Sequence, residues 1–123
     1  MLQGDFFHVT SLDSADHTTR AILEIDPAHV IFKGHFPGQP VVPGVCMMQM
    51  VKEITEAVLG RETRLVKAEQ LKFLALLIPA ESRQLRMELK LSTRENGETG
   101  VDAQLLNEST LFFKFKGSFV PIS

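Results

Sequence analysis

An internal disulfide is excluded, because Cys46 is the single cysteine among 123 residues. A lone thiol fits a reducing compartment, and its alternative interpretation is a small buried hydrophobic residue. The sequence also lacks any run of lysine or arginine, and its formal net charge is −2 with a pI near 6.1. A phosphate-binding surface needs a positive patch, so we expect no nucleic-acid partner.

Long apolar runs are absent as well. Nowhere do about 18 uninterrupted apolar residues occur, which is the length that a membrane-spanning helix needs. The opening segment, MLQGDFFHVT, has no basic region followed by an apolar run and a cleavage site. We therefore expect no membrane insertion and a cytoplasmic location.

Metal-ligand, nucleophile and nucleotide motifs such as HExxH, CxxC, GxSxG and a phosphate-binding glycine loop are missing. His8, His17 and His29 have no metal-ligand spacing, and we interpret them as structural or exposed. No metal and no cofactor is implied.

The length and composition favour one domain over residues 1–123. A hydrophobic content of 44% is enough for one sizeable core, and the chain has no room for a second. Alternation of apolar and polar residues predicts strands, and Asn96-Gly97 offers a hairpin turn between two of them. The predicted strands are 18–25, 85–91, 101–105 and 111–116, with two less regular runs at 6–12 and 64–73.

A loop and a long helix lie between these strands. The stretch GHFPGQPVVP, residues 34–43, is too rich in proline and glycine for regular structure. Pro43 is acceptable in a first helical turn, and Gly60 is a natural residue just past a helix end. The predicted apolar face comprises Met47, Val51, Ile54 and Val58, and the polar stripe comprises Gln49, Lys52, Glu53 and Glu56. One helix against an antiparallel sheet of about six strands predicts an α+β fold in which the sheet curls around the helix.

The stretch GHFPGQPVVPGV, residues 34–45, closely resembles the signature of the 3-hydroxyacyl-acyl-carrier-protein dehydratases of bacterial fatty acid synthesis. The resemblance continues through Lys72-Phe73 and Pro79 to the closing strands. It implies a hot-dog fold and the dehydration of a 3-hydroxyacyl thioester, linked to an acyl carrier protein or to coenzyme A, to the trans-2-enoyl thioester. It also implies a homodimer or a larger homo-oligomer, with the catalytic groups meeting across a two-fold interface.

This reaction needs a base for the α-proton, a donor for the enolate-like oxygen and an acid for the departing hydroxide. His35 is the catalytic histidine by resemblance, and a partly neutral imidazole suits a base. Gly44 is expected to donate its N–H to the thioester carbonyl from the helix start. The alternative for Gly44 is simply a tight turn after proline.

The acid position departs from the family pattern. Fourteen residues after the histidine the family places an acidic residue, and here Gln49 stands there. An amide can hydrogen-bond the substrate hydroxyl but cannot deliver a proton as a carboxylic acid does. Glu53 follows one turn later, where family members commonly carry glutamine, and we hypothesise that it supplies the proton directly or through water. The alternative places Glu53 in a solvated stripe with Lys52 and Glu56.

Further residues are expected to contact the substrate and its carrier. The residues expected to bind substrate are Phe36, Pro37, Val45, Met48 and Phe73; for the methionines of the helix, packing is the alternative role. Leu74 and Ala75 replace the arginines with which the family recruits its carrier protein. Scattered lysines of the strands offer either a modest basic rim or ordinary surface: Lys67, Lys72, Lys114 and Lys116.

Two other functions stay open. Gln49 supports a non-catalytic acyl-binding or partner subunit that pairs with an active homologue. Thioesterase activity on the same fold is the third interpretation, although hydrolysis needs a base or nucleophile for water.

Overall fold

The computed structural model describes residues 2–34 and 38–122. Within these residues lie six strands, one turn of 3-10 helix and one α-helix. In chain order the elements are β1 (Phe7–Ala15), β2 (Thr18–Ile25), the 3-10 turn (Val30–Lys33), α1 (Gly44–Leu59), β3 (Thr63–Phe73), β4 (Gln84–Thr93), β5 (Thr99–Leu106) and β6 (Leu111–Pro121). In this part of the chain, no helix is long and apolar enough to cross a bilayer.

The six strands form one antiparallel sheet in the order β1-β2-β4-β5-β6-β3. One row of register partners shows how the alternation works: Ala21 faces Met87, which faces Leu105, which faces Phe113. All four side chains are fully buried. The period-2 patterns therefore predicted both the strands and their core face correctly.

The helix begins and ends where the sequence predicted. Pro43 is the N-cap, and Gly60 ends the helix in the left-handed conformation (φ 70°) while its N–H donates to the carbonyl of Glu56 at 2.8 Å. Glycine adopts this backbone conformation at little cost, which explains a sharp stop there.

The buried side of α1 packs into the concave face of the sheet. Met50, Val51 and Ile54 join the strand residues in one hydrophobic cluster. The α+β prediction and the hot-dog arrangement, a curved antiparallel sheet around one long helix, are confirmed. Most of the exposed apolar side chains lie elsewhere, on β3 at the sheet edge and on the segment that follows it.

One interpretation of the helix is wrong. Glu53 is not part of a solvated stripe, because it is 1% exposed and lies on the buried side of α1. Lys52 and Glu56, its expected neighbours in that stripe, are half-buried and pair with each other at 3.5 Å. The helical pattern did not predict this burial, because it considers the helix alone. It cannot show that another segment of the chain covers part of the polar side of the helix.

Candidate functional site

The first turn of α1 presents amide groups that have no helical partners. The carbonyl of Pro43 accepts the first helical bonds, from the N–H of Cys46 at 3.0 Å and of Met47 at 3.3 Å. The N–H groups of Gly44 and Val45 precede those bonds and lie at the positive end of the helix dipole. This is a suitable place for an oxygen that gains negative charge.

Gly44 lies directly under an aromatic ring. A Cβ atom there would come within 2.7 Å of Cζ and 2.8 Å of Cε1 of Phe73. The Phe73 ring is stacked on Phe113 at a centroid distance of 5.1 Å and an interplanar angle of 24°, and Phe73 is 51% exposed. A side chain at position 44 would have to displace this ring, so packing favours glycine there, in addition to any role of its N–H.

An apolar groove of about 680 Å³ runs between the first half of α1 and β3. Its lining is formed by Gly44, Val45, Met48, Gln49, Lys52, Leu65, Leu71, Phe73 and Phe119. Four of the residues expected from the sequence to touch substrate or its hydroxyl thus share this groove with Gly44. A groove of this size with few polar groups can hold an acyl chain.

His35, Phe36 and Pro37 lie outside the described residues, so their expected roles stay predictions. The described chain reaches Gly34, which ends the 3-10 turn, and resumes at Gly38 with a φ of 82°. After that loop, the N–H of Val42 donates to the carbonyl of Leu77 at 2.8 Å, which anchors the approach to α1.

Gln49 and Glu53 contact each other on the same side of the helix. The amide nitrogen Nε2 of Gln49 donates to Oε2 of Glu53 at 2.9 Å. The same carboxylate accepts from two backbone amides near the N-terminus, Leu2 N–H on Oε2 at 2.7 Å and Gln3 N–H on Oε1 at 2.8 Å. Sequence reasoning missed these last contacts, since they join positions 50 or more residues apart and leave no pattern in the sequence.

A polar cavity of about 550 Å³ adjoins the groove. Gln49 and Lys52 line both spaces, whereas Glu53 and Glu56 line the polar cavity alone. Glu56 also accepts from the backbone N–H of Thr63 at 2.6 Å, which joins the end of α1 to the start of β3. Gln49 therefore stands at the boundary between an apolar space and a polar one.

The lysines of the expected basic rim lie near an acidic residue. Lys72 and Lys114 are register partners on β3 and β6. Further along, Glu69 pairs with Arg94 at 2.6 Å, and the hydrogen bond from Arg94 lowers the pKa of the Glu69 carboxyl. Since a carboxylate lies among these cations, the face is mixed rather than uniformly positive.

Of the remaining candidate groups, His29 has structural partners and Cys46 is buried. Nε2 of His29 lies 3.0 Å from Oδ2 of Asp5, and its Nδ1 accepts from the N–H of Ile31. Burial raises the pKa of the Cys46 thiol, which favours the protonated and weakly nucleophilic form. Among residues 2–34 and 38–122, no three His, Cys, Asp or Glu side chains come together as metal ligands.

Comparisons with known proteins point in one direction. Residues 11–104 match the family model described as ApeI-like, ApeI dehydratase. The 3-hydroxyacyl-acyl-carrier-protein dehydratase FabZ of Moorella thermoacetica is 31% identical over 93 residues, 67% of this chain. FabZ of Clostridium acetobutylicum is 26% identical over 92 residues, 61% of this chain. The chain spans 65% of the length of each of these two relatives.

A solved structure gives the same fold. The dehydratase heterocomplex ApeI:P from Xenorhabdus doucetiae superposes with a TM-score of 0.66 at 24% identity, covering 91% of this chain and 96% of that one. At this identity the likeness supports the architecture alone, and the function rests on the family match and on the site.

Proposed function

The chain belongs to the ApeI-like dehydratase family, and on that premise we propose that it dehydrates a 3-hydroxyacyl thioester to the trans-2-enoyl thioester. The pathway that we propose is fatty acid or related lipid and polyene synthesis. The observation that carries the proposal is the apolar groove that opens beside the first N–H groups of α1, which have no partner within the helix, with Gln49 one turn further on.

In the proposed reaction the thioester carbonyl accepts a hydrogen bond from Gly44 N–H, and His35 removes the α-proton. The electron pair of that C–H bond forms the double bond, and the C–O bond to the 3-hydroxyl breaks. Negative charge grows on the carbonyl oxygen as the proton leaves, so a donor fixed at a helix start stabilises the transition state more than the ground state. Hydroxide needs one proton to leave as water.

We propose that Gln49 contacts this hydroxyl, because it borders the groove at the family's acid position. Its amide orients the hydroxyl but supplies no proton. Glu53, directly or through water, stays a proposed donor, and in that role it would first have to take up a proton, because in the structure both of its oxygens accept N–H hydrogen bonds. Direct transfer from Glu53 would require at least one of those bonds to open.

A homodimer or larger homo-oligomer is part of the proposal. Strand β3 lies at the edge of the sheet and exposes the apolar side chains of Leu65, Val66 and Leu71. Phe73, at the end of this strand, is 51% exposed. An open edge that carries large apolar side chains favours pairing with another chain. Analytical ultracentrifugation of the purified protein measures the assembly, and a monomer at micromolar concentration would contradict it.

We propose an acyl carrier protein or coenzyme A as the carrier. Lys72 and Lys114 give a small positive site for either anionic carrier, but Leu74 and Ala75 leave it without the arginines of the family pattern. Parallel assays with substrate on both carriers distinguish the two.

The direct test incubates the purified protein with short and medium 3-hydroxyacyl thioesters and follows enoyl product and free thiol. We expect enoyl product, and a loss of kcat/KM of about 10²- to 10⁴-fold in His35→Ala. His8→Ala is the matched control, since His8 is an exposed histidine on β1. Free thiol without enoyl product would replace the proposal with a thioesterase.

A second candidate function is a non-catalytic acyl-binding or partner subunit, and Gln49 favours it because an amide cannot protonate hydroxide. Such a subunit would bind the thioester without turnover until an active homologue is added. The structure from Xenorhabdus doucetiae is named as a dehydratase heterocomplex, which makes a partner chain a reasonable addition to the assay.

A further inference from the structure

Within the described residues, Glu53 is a buried carboxylate that is hydrogen-bonded by N–H donors and is not paired with a cation. It is 1% exposed, and no lysine, arginine or histidine within the described residues forms an ion pair with it. Its partners are two backbone amides, of Leu2 and Gln3, and the side-chain amide of Gln49. Burial of a charge is costly unless the charged group is fully hydrogen-bonded, and these three donors offset that cost for Glu53.

The contact decides which end of the Gln49 amide faces Glu53. An ionised carboxylate has only acceptors, so it selects the NH2 group of the amide and turns the carbonyl oxygen the other way. Glu53 lines the polar cavity but not the groove, whereas Gln49 lines both. With its NH2 group held on the side of Glu53, Gln49 is left with an acceptor for the groove.

We propose that Glu53 is a positioning residue that fixes Gln49 with its carbonyl oxygen toward the groove, where it accepts a hydrogen bond from the 3-hydroxyl of the substrate. This inference rests on the proposed function and adds a specificity to it. A 3-hydroxyl is a donor and satisfies Oε1 of Gln49. A 3-oxo group would bring a second acceptor against it, and a saturated chain would leave it without a partner, so both are bound more weakly.

The backbone amides of Leu2 and Gln3 also hold Glu53 in position. Leu2 N–H shares Oε2 of Glu53 with Gln49, and Gln3 N–H bonds Oε1, so both carboxylate oxygens are held in place. In Glu53→Gln only one oxygen remains, and the new NH2 group faces donors. If the oxygen takes the Oε2 position, Gln3 N–H loses its acceptor and Gln49 keeps only an uncharged one; if it takes the Oε1 position, Leu2 N–H and Gln49 both lose theirs. In both cases the Gln49 amide is held less firmly, because hydrogen bonds to a charged acceptor are the stronger ones.

The positioning role is tested without catalysis. In 15N-labelled protein, the side-chain NH2 resonance of Gln49 should be shifted and slow to exchange, and should move toward free-amide values in Glu53→Gln. Glu56→Gln is the matched control, because Glu56 lies on the same helix and bonds Thr63 instead of Gln49. A Gln49 resonance that is the same in wild type and Glu53→Gln would overturn the positioning role.

A second pair of variants isolates the backbone donor. Gln3→Pro removes the N–H that bonds Oε1 of Glu53, whereas Gln3→Ala keeps it and removes only the side chain. We expect faster exchange of the Gln49 amide in Gln3→Pro alone. Equal exchange in the two variants would refute the contribution of the N-terminal segment.

The specificity is tested by binding in a His35→Ala background, so that the ligand is not consumed. We expect the 3-hydroxyacyl thioester to bind about three- to tenfold tighter than the saturated or 3-oxo thioester, the range for one net hydrogen bond. Gln49→Met and Glu53→Gln should bring this ratio close to one with little change for the saturated ligand. An unchanged ratio in Glu53→Gln overturns the inference, whereas absence of binding by every thioester overturns the proposed function and the hydroxyl contact together.

Discussion

Replacing Gln49 by glutamate puts the acid back at the family position but next to a second carboxylate. Nε2 of Gln49 lies 2.9 Å from Oε2 of Glu53, so the new carboxylate would begin at nearly that distance. Two charges at about 3–4 Å repel by about 4–6 kcal/mol at an effective dielectric constant of about 20. The folded Gln49→Glu protein avoids that repulsion by keeping one proton on the pair.

The retained proton gives the variant a pH-dependent stability. In the unfolded chain the two carboxyls release their protons at about pH 4.3, whereas the folded pair keeps one proton to a higher pH. The folded state therefore binds more protons than the unfolded state, and the stability of the variant falls as pH rises. If the folded pair keeps its proton to a pH about two units higher than the unfolded carboxyls do, the loss in free energy of unfolding reaches about 2.7 kcal/mol by about pH 8. For a chain of this size that lowers Tm by roughly 8–13 °C.

The double variant Gln49→Glu/Glu53→Gln separates the charge effect from the rest. A single carboxylate again faces a single amide, so the pH-dependent loss should disappear. A pH-independent loss of about 1–3 kcal/mol should remain, because the amide introduced at position 53 has one oxygen and cannot accept from both N-terminal N–H groups. With an acid at position 49, we expect dehydration to rise by about 10²- to 10⁴-fold above wild type.

Scanning calorimetry at pH 5 and pH 8 measures the stability effect, and enoyl formation measures the activity. The reasoning is refuted if the Tm difference between wild type and Gln49→Glu is the same at both pH values, since positions 49 and 53 would then not be in contact. A gain of stability in the single variant at pH 8 would have the same meaning.

Three further predictions test packing at Gly44 and Gly117 and the hydrogen bond of Glu56. Gly44→Ala should clash with Phe73, which lowers the free energy of unfolding by about 1–3 kcal/mol and reduces activity. Adding Phe73→Ala to this variant should recover part of the activity. Urea unfolding measures the stability, and enoyl formation measures the activity. Gly117→Ala should cost at least as much, because its Cβ meets the backbone carbonyl of β3, and urea unfolding measures the loss. Glu56→Ala should lower Tm at pH 7 by several degrees, since Thr63 loses its acceptor, while Lys52→Ala should change it little.

The sheet and the helix were predictable because each follows from local patterns. Leu85, Met87 and Leu89 alternate with polar residues, and a strand has no other way to place them than on one face. Pro43 and Gly60 mark the helix because proline lacks an N–H and glycine tolerates a left-handed backbone. Burial of the apolar faces against each other then leaves few architectures besides a sheet around a helix.

The site was predictable as a set of residues but not as an arrangement. Gly44, Val45, Met48 and Gln49 were expected at the site from the family resemblance, and they share one groove because they occupy consecutive turns of one helix. Phe73 joined them by resemblance, and its ring over Gly44 emerges from the pairing of β3 with β6. No spacing in the sequence predicts that contact.

Sequence by itself determined the elements, their apolar faces and the exchange of acid and amide between positions 49 and 53. Tertiary structure alone decided where Glu53 lies and what it bonds, because the backbone amides of Leu2 and Gln3 reach it from a distant part of the chain. Backbone donors are the same at every residue, so the sequence carries no trace of which of them will meet a given carboxylate.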